Sequence, residues 1–240
     1  MKNKQLNLTS GPILSTLTEL ALPIMASSFL ATAYNITDMA WIGMLGSKAV
    51  AGVGVGGMYV WLSQGLCSLS RMGGQVNMAQ ALGRKDREAS IRYADVALQL
   101  TILFGLFFTA LCLLFTDPLL HFFNLTDPEA YASARVYMLI TCGLILLPYL
   151  TQTLTGLYTA QGDSKTPLKA NFLGLVLNMV LDPVLILGVG PFPRLEVVGA
   201  AAATVTSQFL VLAVLVVSLV KDHSETNILR HSNPLRRSAS

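Results

Sequence analysis

Charge is scarce in this 240-residue chain: Asp, Glu, Lys and Arg make up 12% of it, against about 25% in a soluble domain. With 53% hydrophobic residues and a mean hydropathy of +0.59, that scarcity excludes both a water-soluble globule and a disordered chain. Cysteine is scarce too. Cys67, Cys112 and Cys142 are odd in number and sit inside apolar runs, which excludes a secreted disulfide scaffold. The three histidines, His121, His223 and His231, share no ligand spacing with the cysteines, so no structural metal is expected. A net charge of +3 is too small to argue for a nucleic-acid partner. The G-x-G patterns around Gly52, Gly54, Gly56 and Gly57 lack the strand and turn of a nucleotide loop, so they are read as close-packing positions and no organic cofactor is expected.

What the chain has is long apolar runs separated by its few charges. A membrane span needs roughly 20 mostly apolar residues. Glu19 and Asp38 bracket 18 uncharged residues, and the run continues to Leu45; Lys48 to Arg71 encloses 22, Asp95 to Asp117 21, and Arg135 to Asp163 27. Lys169 to Arg194 encloses 24 with one charge, Asp182, and Glu196 to Lys221 another 24. The expected fold is an all-α membrane protein, a six-transmembrane-helix bundle over residues 13–220. Its helices are placed near 13–45, 49–82, 94–116, 132–161, 167–189 and 197–220, between a cytoplasmic N-terminus (1–12) and a cytoplasmic polar tail (221–240). The first run is too long for a signal-peptide core of about 7–15 residues and is read as a retained helix. Pro23 lies inside it and is expected to act as a kink or hinge.

Orientation follows from the basic residues. The N-terminus, the second and fourth loops and the tail carry 12 of the 16 Lys and Arg, the other side carries Lys48, Arg135 and Arg194, and Arg71 stays within the second helix. This predicts a multi-pass protein of the cell membrane with both termini in the cytoplasm. Arg71 itself is read as snorkelling to the inner surface. Two cytoplasmic turns, Ala79 to Asp86 and Ala160 to Lys165, are alike. Each is expected to stop its helix at a glycine, Gly83 and Gly162, consistent with an internal helix-pair repeat.

Asp38 and Asp182 carry the most information, because a carboxylate at membrane depth is costly and is kept for a pathway, a relay or a counter-ion. Their helices run in the same direction, and the two residues sit at equal distances from the expected helix ends, so their carboxylates can meet. Asn178 is one turn before Asp182 on the same face. Two carboxylates, an amide oxygen and a hydroxyl form a site suited to Na⁺ or, with a carboxylate raised by burial, to H⁺. Tyr34, Asn35, Gln152, Thr155, Thr204 and Gln208 are candidates to line the same cavity, although such residues also serve as interhelical hydrogen-bond partners.

Several segments together resemble the multidrug and toxic compound extrusion (MATE) family of cation-coupled exporters. They are Leu8 to Ile13, Ala21-Leu22-Pro23-Ile24, Tyr34 to Asp38 with Ile42-Gly43 and Leu45-Gly46, Ala79 to Asp86, Gln161 to Pro167, Asn178-x-x-x-Asp182-Pro183 and Gly199 to Thr204. The resemblance covers residues 8 to 220. It implies one six-helix lobe of a twelve-helix antiporter that exports drugs or other amphipathic, often cationic compounds against H⁺ or Na⁺. The family's cation site falls on Asp38, Asn178 and Asp182, with Thr204 contributing and Gln152 more loosely placed. Pro23 falls at the family's hinge. The expected partners are therefore small amphipathic substrates, the bilayer, and either a second lobe missing from this chain or a second copy. The alternatives are a lipid-linked oligosaccharide flippase of the same superfamily, which would carry more cavity bases than Arg71, an intramembrane aspartyl protease, whose Tyr-Asp and Gly-x-Gly-Asp contexts are not found here, and a non-transporting assembly subunit.

Overall fold

Each apolar run read from the sequence is helical in the computed structural model, which describes residues 13–188 and 193–221. The expected N-terminal segment 1–12, the outer turn 189–192, where the 167–189 helix was to end, and the tail after Lys221 lie outside the described residues. Among the described residues there are eight helices and no strand: α1 (Ile13–Gly43), α2 (Ser47–Gly83), α3 (Arg87–Leu114), α4 (Thr116–His121), α5 (Pro128–Gly143), α6 (Leu146–Ala160), α7 (Lys165–Leu187) and α8 (Glu196–Lys221). Helices α2, α3, α7 and α8 are each long and apolar enough to cross a membrane, and α5 with α6 forms a further, bent span. The 31-residue α1, about 46 Å long at 1.5 Å per residue, has the length of a span but is not among the helices apolar enough by this measure to cross a membrane.

Helix starts lie outside the apolar limits because capping, not hydropathy, sets them. The expected start at 94 becomes Arg87, where Asp86 accepts the Ala89 N–H at 3.0 Å and Glu88 occupies the first turn. The expected start at 132 becomes Pro128, where Asp127 accepts the N–H groups of Glu129 and Ala130 at 2.9 and 3.3 Å. Lys48 bridges Asp127 and Glu129 at 3.0 and 2.9 Å, tying the start of α2 to the start of α5. The Lys48 hydrogen bond holds the Asp127 carboxyl below the usual carboxylate range.

The expected single helix over 132–161 is instead two, bent by 47° between Gly143 and Leu146. Pro148 explains the break: it has no N–H to give to the Leu144 carbonyl, and its ring crowds that carbonyl. The chain tightens locally, with Ile145 N–H on Cys142 at 3.3 Å and Leu147 N–H on Leu144 at 3.1 Å. As expected, α2 stops at Gly83, but that glycine is not the left-handed residue of the turn. Lys85 takes the left-handed conformation there (φ 58°), as Gly162 does in the other turn (φ 79°). In both turns an aspartate N–H then reaches back five residues, Asp86 to the Ala81 carbonyl at 2.9 Å and Asp163 to the Tyr158 carbonyl at 3.0 Å. The two turns therefore match with Lys85 on Gly162 and Asp86 on Asp163.

Close packing follows from small residues. A β-carbon on Gly52 would stand 2.6 Å from the Ala130 carbonyl oxygen, and one on Gly56 3.0 Å from that of Ala134, so α2 and α5 meet along a Gly-x-x-x-Gly face. Gly54 and Gly57, on the other side of α2, meet nothing within 4 Å. Buried hydroxyls join helices elsewhere: Thr101 of α3 donates to Ser70 of α2 at 2.9 Å and lies 2.8 Å from the Thr153 hydroxyl of α6. Tyr149 donates to the Ser63 carbonyl at 2.7 Å. Large apolar side chains such as Leu103, Phe107, Phe172 and Val217 stay exposed on the outer surface, as a lipid-facing surface requires.

Candidate functional site

Toward the end of the bundle that the sequence reading placed outside, α1, α2, α5, α7 and α8 share an apolar cluster of Ile42, Val53, Tyr137, Ile186, Val197, Ala200 and Ala201. Asp38 and Asp182 each sit one helical turn inward of a member of that cluster, Ile42 and Ile186. Each also lies five residues before the end of its helix, Gly43 or Leu187. The outer cluster therefore caps both carboxylates at one depth. Asp38 is 8% exposed, and Asn178 and Asp182 are fully buried. Asp182 is within electrostatic reach of Asp38, and Tyr137 of α5 is within reach of both.

Hydrogen bonding leaves this group incomplete. Asn178 donates its amide to Asp182 Oδ1 at 3.1 Å. Asp182 Oδ2, Asn178 Oδ1, Asp38 Oδ1 and Thr204 Oγ1 are buried with no hydrogen-bond partner. A buried polar group left unsatisfied costs about 1–3 kcal/mol, more if charged, so each of these four oxygens, on α1, α7 and α8, is one that a donor proton or a hard cation would stabilise. Among the described residues no group of three or more His, Cys, Asp and Glu side chains could hold a metal ion. The donor set here is two carboxylates with an amide and a hydroxyl.

The group borders a cavity of about 870 Å³ on the concave face of the bundle, within the range of small-molecule sites. Asp38, Asn35, Gln152, Thr155, Thr204 and Gln208 all line it, whereas Asn178 and Asp182 lie behind its wall. Tyr34 belongs to α1, but its side chain lies outside the described residues. Pro23 is buried within an α1 that stays helical from Ile13 to Gly43. Met39, Met58 and Trp61 supply apolar wall. Arg71, read from the sequence as snorkelling, instead lines the cavity, with its Nε buried. Sequence reasoning also passed over Tyr137, Thr141, Thr151 and Ser207, which line the cavity too. Tyr137 and Thr141 are one turn apart, a polar pair in an otherwise apolar span. That spacing was the available signal.

Comparison with known proteins decides the family: the model for MatE matches residues 23–184, about two thirds of the chain. The chain belongs to the MatE family. A probable multidrug resistance protein NorM of Thermotoga maritima is 32% identical over 209 residues, covering 85% of this chain and 44% of that protein. An FAD transporter of Shewanella oneidensis is 28% identical over 213 residues, covering 89% of this chain and 47% of its own length. Among solved structures, a MATE protein in a bent conformation matches at a TM-score of 0.83 with 26% identity, over 99% of this chain and 52% of that one. A transporter of the same superfamily from Pyrococcus furiosus matches at 0.81 with 26% identity, over 92% and 48%. The MatE chain described here thus has the fold of one six-helix lobe and spans about half the length of the relatives it matches. Its family consists of transporters, not enzymes, which removes the aspartyl protease alternative.

Proposed function

We propose that this MatE chain forms one lobe of a cation-coupled antiporter of the cell membrane that exports drugs or other amphipathic compounds, often cationic, against H⁺ or Na⁺. The reading is carried by the four unpartnered oxygens of Asp38, Asn178, Asp182 and Thr204 beside a substrate-sized cavity. Protonation or Na⁺ binding would satisfy oxygens that otherwise stay orphaned, and the coupling ion would occupy the wall that a substrate touches. The multidrug names of the relatives support the drug-export side of the reading. The flippase alternative is not favoured, because among the described residues Arg71 is the one basic side chain that lines the cavity.

A concave polar face needs cover in a bilayer, and the proposed cover is a second six-helix lobe, supplied by a further stretch of chain or by a second copy. Efflux of an ethidium-type dye from a drug-sensitive host, with pH and Na⁺ varied, tests the whole reading. The chain is compared alone and fused to the C-terminal half of a full-length relative. Asp38→Asn and Asp182→Asn are each expected to abolish ion-driven efflux while leaving membrane insertion unchanged. Full efflux by both variants sinks the site assignment.

A further inference from the structure

The coupling site uses the outer part of the cavity, and the inner part has a different chemistry. Arg71 and Gln75, one turn apart on α2, line it opposite Gly156, Thr155 and Thr159 of α6. A β-carbon on Gly156 would stand 3.0 Å from Arg71 Cγ and 3.2 Å from Gln75 Oε1, so the bare backbone at 156 is what lets both side chains lie against α6. Arg71 Nε is buried there without a hydrogen-bond partner, and among the described residues no ion pair engages Arg71. The acidic end of the cavity cannot neutralise it. Val53, which lines the cavity and packs with Ile42, is 18 residues outward of Arg71, about 27 Å along the helix. Between the two ends, Gln152 of α6 donates to Gln64 of α2.

A guanidinium has no acceptor and cannot lose its proton in a protein. One whose Nε is buried and unpaired at a cavity wall is matched by an oxyanion, which accepts from it in a charge-assisted bond. We propose that the inner half of this cavity is an anion subsite, in which Arg71 and Gln75 hold the carboxylate of an amphipathic zwitterion whose apolar body lies against Trp61 and Met58. The assignment rests on the reading of the cavity as a substrate site, and it adds carboxylate-bearing compounds to the substrates that the acidic end attracts.

The test uses two dyes that differ at one group, tetramethylrhodamine with its free carboxylate and tetramethylrhodamine methyl ester. Binding to the purified chain is followed by fluorescence anisotropy in dodecyl maltoside, which carries no phosphate. The free acid is expected to bind roughly tenfold more tightly than the ester, the order of one hydrogen bond to a charged group. Arg71→Gln removes that preference, whereas Arg71→Lys and Gln75→Leu each keep part of it. Equal affinity of the wild type for the two dyes overturns the subsite but not the cavity reading, as does a preference that survives Arg71→Gln. Absence of binding by either dye overturns both. A phospholipid headgroup offers the same oxyanion chemistry, so the series is repeated with added phosphatidylglycerol. Persistence of the preference supports a carboxylate substrate, and its loss assigns Arg71 to lipid and overturns the proposal.

Discussion

Lys85 illustrates how a single residue can depart from the residue type its backbone asks for. Left-handed φ costs a side-chain-bearing residue about 1–2 kcal/mol, which glycine avoids. At the corresponding position of the matching turn after α6 the chain has Gly162 (φ 79°), while Lys85 adopts φ 58°. Lys85→Gly is therefore expected to stabilise the protein by about 1 kcal/mol. A rise in melting temperature in detergent checks it; a fall shows that the exposed lysine side chain makes a contact worth more than the strain. At this scale the sequence exposed Asp38, Asn178 and Asp182 plainly, because a charge in an apolar run announces itself. Gly83 marked where α2 ends but not the left-handed residue, because the turn closes beyond it through the Lys85 and Asp86 N–H groups. The charge of Arg71 was equally visible, but the bare backbone at Gly156 against which its side chain lies is 85 residues away in sequence.

Between residue and bundle lies the bend of α5 against α6. The run from Arg135 to Asp163 is uncharged and reads as one long helix, and hydropathy alone gives no reason to divide it. Pro148 was in view, yet its effect falls four residues earlier, at Leu144, whose carbonyl loses the helical donor and takes the Leu147 N–H instead. The bend brings α6, with Gln152 and Thr155, across the cavity while α5 keeps Tyr137 and Thr141 near the carboxylates. Pro148→Ala restores the donor and is expected to straighten the pair. From the 47° bend and a rise of 1.5 Å per residue, spin labels at Ala132 and Gln161 should move apart by about 3 Å. Pulsed electron-spin measurements resolve such a change, and an unaltered distance shows that packing by α2 and α3 holds the bend without the proline. Helix starts at Arg87 and Pro128 were missed for a related reason. Caps belong to the water-exposed ends, and a rule that marks spans by the absence of charge stops short of them.

For the whole molecule, the apolar runs were read from the gaps between charges, and the orientation proposed from the 16 basic residues has a direct readout. The native thiols of Cys67, Cys112 and Cys142 are all buried, so single introduced cysteines report their own side. In intact cells a membrane-impermeant maleimide is expected to label Glu129→Cys, and to reach Lys85→Cys only after permeabilisation; the reverse pattern inverts the topology. The concave face was not legible, since no pattern in one helix states which side a bundle leaves open. It emerges from where Gly52 and Gly56 seat α5 while Gly54 and Gly57 face nothing. One consequence belongs to the apolar cluster of Ile42, Ile186 and Val197. It shuts the outer side of this lobe immediately above the carboxylates, and Asp182 is wholly enclosed while Asp38 borders the cavity. Under the proposed function, an ion that reaches Asp182 by way of Asp38 would pass through the cavity that a substrate occupies. Traffic through a shared doorway is sequential, so in an exchanger built this way each passenger would have to clear the threshold before the other could enter, and a one-for-another stoichiometry would be enforced by the architecture of the entrance as much as by the chemistry of the site.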